Sequence, residues 1–129
     1  MHPALYDNLP VRGENTVYQV KERDWRLFCQ RLPNWQEAYM DKLNQVYIRI
    51  LSGEGPASEK FWALEKRIRM DKKSVGIVAD MRGSQLYSNL LSLLVNEIIR
   101  EDDLDGFSEE LTETMKYVAQ QSKAFADRM

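Results

Sequence analysis

The sequence predicts an all-α fold: a single compact bundle of about five helices over residues 20–129, with an extended N-terminal arm over residues 1–19. Three observations predict it. Apolar residues recur every three or four positions along most of the chain. Gly and Pro are scarce, six and four in 129 residues, and sit mostly near the ends of those runs. One stretch near residue 90 is apolar on nearly every side, as a helix surrounded by others must be. The length fits one domain, and such a domain buries roughly two-thirds of the surface its unfolded chain exposes.

The arm comes first. Residues 1–15 hold two of the four prolines and a glycine without sustained period. TVYQV at 16–20 alternates like a short strand. A lone strand finds no mate inside a helical monomer, so it packs as a strap or pairs with a second copy. Trp25, Phe28, Cys29 and Leu32 then mark one face of a first helix. Pro33 ends it, because proline disfavours helical backbone in the preceding residue. Asn34 caps a second helix with the stripe Trp35, Tyr39, Leu43, Val46, Tyr47 and Ile50. With so short a link, the two helices form a hairpin or a sharp corner.

Gly53 to Pro56 supply turn chemistry. A third helix over about 57–72 turns Phe61, Leu64 and Ile68 inward. Residues 75–81 fit a short helix capped by Ser74; a strand would also accommodate them, and helix is favoured. After Gly83 and Ser84, residues 86–99 form the central helix. Ser108 caps the last one, whose stripe is Leu111, Met115, Val118 and Phe125. Glu109, Glu110 and Glu113 near its start and Lys116, Lys123 and Arg128 further along complement the helix dipole.

Catalytic residues are assigned to none. His2 is the only histidine and lies in the arm, so triads and histidine acid–base chemistry lack their base. Cys29, the only cysteine, sits on an apolar face and reads as buried and inert; its solitude excludes an intrachain disulfide and suits a reducing compartment. Glu65 and Glu97 are the remaining carboxylate pair, and buried ionic groups are more often structural. Glu101, Asp103, Asp105 and Gly106 imitate the opening of a calcium loop, yet Ser108 and Thr112 stand where it needs an apolar residue and a bidentate Glu. The residues read instead as an acidic turn capping a helix. Gly83-Ser84 falls short of a phosphate loop, and Ser84 reads as a simple cap. No metal or cofactor site is assigned. The N-terminal stretch has neither a basic start nor an apolar run, and no segment is apolar enough to span a bilayer, so a cytoplasmic protein without membrane contact is expected.

Net charge is −2, so overall charge gives no case for nucleic-acid binding. Its distribution is uneven. Residues 59–73 carry six basic and three acidic side chains, and residues 97–113 carry eight acids against Arg100 alone. Trp62, Lys66, Arg69 and Lys73 fall on one helical stripe, where an aromatic among cations could hold a nucleic-acid strand. The favoured reading is that Trp62 packs on a neighbouring helix while the long cations snorkel past it.

ERDWRLFCQRLPNWQEAYM (22–40) followed by KFWALEKRIRMDKKSVG (60–76) resembles a group of small helical proteins of gut Firmicutes and their mobile elements, over about residues 16–115. The resemblance implies an accessory role on a conjugative element or prophage and transfers no site residues. The resulting expectation is a non-enzymatic protein-interaction or regulatory module that docks a protein partner or a second copy. The alternative is a nucleic-acid-binding accessory protein using the Trp62 stripe.

Overall fold

A computed structural model describes residues 20–128. Among them the chain is all-helical and contains no strand. Its α-helices are α1 (Glu22–Ser52), α2 (Ala57–Asp71), α3 (Leu86–Val95) and α4 (Glu109–Arg128), with 3₁₀ turns at Gly83–Gln85 and Glu101–Leu104. That makes four among the described residues where about five are expected. The arm assigned to residues 1–19, including most of the expected strand, lies outside the described residues.

The largest departure is at Pro33, which lies inside a 31-residue helix. The two helices expected on either side of it are one, no corner forms, and Asn34 is an interior residue. An internal proline costs about 3 kcal/mol. Ending the helix there would instead orphan four carbonyls and, at the restart, four N–H groups. Strong helix formers flank the site on both sides, so continuing is the cheaper solution. The chain divides into two compact units at this point: residues 20–32 with 80–128, and Pro33–Ala79.

The first unit holds most of the buried side chains. Phe28, Leu86, Leu90, Leu93, Leu104 and Leu111 have no exposure, each contributing roughly 2 kcal/mol of burial. Trp25 stacks on Phe28 with centroids 5.9 Å apart. α3 packs on α4, and its buried face is Leu86, Tyr87, Asn89, Leu90 and Leu93. Asn89 is buried because its side-chain amide donates to the Asp80 carbonyl at 2.8 Å. The sequence places α3 in the core correctly and overestimates its length. It stops at Val95, where Glu97 takes φ 59°. The N–H groups of Glu97 and Ile98 then donate back to Leu94 and Leu93 at 3.0 and 2.8 Å, satisfying carbonyls a helix end leaves open. Ser84 makes no cap, since neither the Gly83–Gln85 turn nor α3 has a side-chain cap hydrogen bond. In α4, Leu111 and Met115 are buried as expected, whereas Phe125 is exposed.

The acidic stretch is held by the start of α1. Asp24, 1% exposed, accepts the Ser108 N–H at 2.8 Å and its hydroxyl at 2.6 Å. The Ser108 oxygen in turn accepts the Leu111 N–H at 3.2 Å, which is the expected cap of α4. Arg23 and Arg31 donate to the carbonyls of Gly106 and Asp103 at 2.6 and 2.9 Å. Gly106 has φ +98°, a conformation side chains rarely adopt.

The second unit buries less. Leu43 is its one buried large apolar residue among those described. Trp35, Tyr39, Val46, Tyr47 and Ile50 lie half-buried on the same α1 stripe. Residues 75–81 are turn and coil, not the short helix expected. The Ser74 carbonyl takes the N–H groups of Ile77 and Val78, and its hydroxyl takes that of Gly76; such local bonding competes with helix. Gly76 lies against the Tyr39 ring so closely that a Cβ would collide with it. Tyr47 donates to Asp71 at 2.5 Å, and Arg67 holds the same carboxylate at 3.1 Å.

Candidate functional site

α2 is the unusual element. Its first turn carries Glu59 and its last Arg69, favourable for the helix dipole, and Pro56 precedes it in extended conformation. Glu65 pairs with Arg69 at 2.6 Å and Arg67 with Asp71 at 3.1 Å, both four residues apart. Such pairs stabilise a helix by only about 0.2–0.5 kcal/mol each. Yet α2 contains no buried residue. Phe61 is 54% exposed, Trp62 64% and Met70 59%. Leu64 and Ile68 are half-buried.

Two expectations are corrected here. The Phe61, Leu64 and Ile68 face does not close against a core. It lines an open groove of about 890 Å³, with Leu51 at the end of α1 and Ala57 completing the apolar part. Trp62 is not packed on a neighbouring helix. It is exposed and meets Phe61 edge to face, centroids 4.8 Å apart.

Lys60, Glu65, Arg69 and Lys72 rim the groove. Glu65 and Arg69 satisfy each other, and the guanidinium bond holds the Glu65 carboxyl below the usual carboxylate range. Lys60 and Lys72 have no ion-pair partner among the described residues. The predicted stripe of Trp62, Lys66, Arg69 and Lys73 is exposed throughout. Helical spacing sets it about 100° around α2 from Phe61. Arg69 belongs to both stripe and groove, and its charge is already engaged by Glu65.

The other candidates do not assemble into a site. Glu65 and Glu97 are both exposed, so neither is a carboxylate held in an apolar pocket. Cys29 is half-buried, not fully enclosed, and burial pushes its thiol pKa up. In the calcium-like loop, the Asp103 carboxylate accepts the Arg100 N–H at 2.8 Å. A hollow of about 660 Å³ beside it is lined by Glu101, Asp102, Asp105, Glu109 and Glu113 among others. Among the described residues, no group of three or more His, Cys, Asp and Glu side chains could hold a metal ion. No helix among them is long and apolar enough to cross a membrane.

Sequence reasoning found the basic stripe and missed the groove beside it. The apolar period on α2 is legible; nothing in it says that no described residue closes over that face. No protein-family model, curated protein or solved structure matches the chain.

Proposed function

We propose that this protein is a non-enzymatic interaction module that docks a protein partner on the Phe61, Leu64 and Ile68 face of α2. The observation that carries the reading is that α2, with five large apolar side chains in fifteen residues, buries none of them. A contiguous exposed apolar surface with a polar rim is characteristic of an interaction site. A helix of this length is marginal in water without a packed face. Covering Phe61, Leu64 and Ile68 contributes roughly 3–5 kcal/mol. Association costs about 4 kcal/mol or more, so Leu51 and Trp62 must also be covered and binding is weak and reversible. An accessory role on a mobile element, as the sequence resemblance implies, is compatible with such an adaptor.

Panning a displayed library of helical peptides against the intact chain tests this. Enriched peptides should slow hydrogen exchange over residues 57–71 and lose binding about tenfold or more with Leu64→Glu. No enrichment, or protection confined to other segments, overturns it.

The exposure of Trp62 favours a second reading, in which Trp62, Lys66 and Lys73 grip a single nucleic-acid strand. Binding would then weaken steeply with salt as counterions are displaced. An unchanged mobility with mixed DNA and RNA oligonucleotides at low salt removes it.

A further inference from the structure

The charges around the groove define what fills it. Lys60 and Lys72 stand near its two ends, twelve positions apart in the sequence and about 18 Å along the helix axis. They are the rim charges without a salt bridge among the described residues: Glu65 bonds Arg69 and feels Lys72 only through space, so the rim carries two cations in excess. The floor between them is apolar over about three turns.

α2 of a second copy fits poorly. Antiparallel pairing of α2 with itself sets Lys60 against Arg69 or Lys72, and parallel pairing sets each lysine against its own counterpart. The registers that superpose the two Phe61–Ile68 faces therefore oppose cation to cation. The acidic stretch of another copy has the right sign, but Leu104, Phe107 and Leu111 are buried there, leaving no apolar stripe to enter the groove.

Resting on the docking role of α2 argued above, we infer that the occupant is an amphipathic helix of another protein, about three turns long, with apolar residues at i, i+4 and i+7 and a carboxylate near each end. The apolar stripe covers Phe61, Leu64 and Ile68, and the two carboxylates meet Lys60 and Lys72. These rim contacts choose the partner more than they tighten it, as exposed charge pairs do.

Two synthetic helical peptides sharing one apolar stripe test this against the full-length chain. One carries Glu at both flanks and the other Lys. By fluorescence anisotropy at low salt the Glu peptide should bind roughly tenfold more tightly than the Lys peptide, a preference that shrinks as salt screens the rim. Lys60→Glu combined with Lys72→Glu should reverse the preference. Neither lysine makes a salt bridge among the described residues, and circular dichroism checks that the variant stays helical. Equal binding of both peptides overturns the acidic partner and leaves α2 a docking surface. No binding of either overturns both. Displacement of the Glu peptide by a short single-stranded oligonucleotide assigns the surface to nucleic acid instead, which also overturns the inference.

Discussion

Asp24 is the residue on which the start of α4 rests. Its carboxylate is buried, and both oxygens are engaged by Ser108, one by the N–H and one by the hydroxyl. Removing it leaves a buried N–H unpaired and frees the hydroxyl that caps Leu111. Asp24→Ala should therefore destabilise the protein by about 3 kcal/mol, read as a lowered urea midpoint at unchanged slope. Asp24→Asn keeps an acceptor for the N–H and a donor for the hydroxyl oxygen, and should lose distinctly less. Equal losses for the two variants would show that the pairing does not matter. This contact illustrates where single-residue reading runs out. The sequence marks Ser108 as a cap through its position before an acid-rich, apolar-periodic run. It gives no sign that the acceptor completing the cap lies 84 positions earlier. Asp24 on a helix otherwise reads as a solvated first-turn acid.

At the scale of elements, legibility follows the number of mutually consistent signals. α3 is legible as a core helix from its dense apolar residues, and Leu86, Leu90 and Leu93 are fully buried, but only one face is enclosed and Val95 is 47% exposed. Its last turn is not legible, because Glu97 ends the helix in a left-handed conformation usually left to glycine. At Pro33 the proline's local preference for ending a helix is outweighed by the eight backbone groups that a break would expose. The α2 groove was half legible: the period gave the face, and only tertiary structure shows it uncovered. Where α2 ends, Tyr47 supplies a measurable signature. Burial first, then the hydrogen bond to Asp71, pushes its pKa from 10.0 up to about 12. A raised pKa in the folded state means that folding favours the protonated phenol. The contribution is complete below pH 10 and is lost as pH climbs from 10 toward 12. Tyr47→Phe should flatten stability over that interval, and phenolate absorbance of the folded wild type should contain a late-ionising component that the variant lacks. A wild-type curve identical to that of the variant over that interval would refute the pairing.

Over the whole molecule, burial is distributed unequally between the two compact units. The unit of residues 20–32 and 80–128 encloses Phe28, Leu86, Leu90, Leu93, Leu104 and Leu111 without exposure, whereas Pro33–Ala79 buries Leu43 and Gly76. Opening free energies scale with the packing that must be lost, so the two should differ in hydrogen exchange. Amides of α3 and the first turns of α4 should exchange most slowly, and those of α2 and residues 72–79 fastest. α1 should change character along its length: protected before Pro33, faster after it, although it is one continuous helix. Mass-spectrometric exchange with peptides ending on either side of Pro33 measures this directly, and uniform protection along α1 would contradict it. The gradient also bears on docking. A helix that opens easily because no described residue closes over its apolar face gains the most protection when a partner does, so the α2 amides, fast in the free protein, should be those a bound helix slows most.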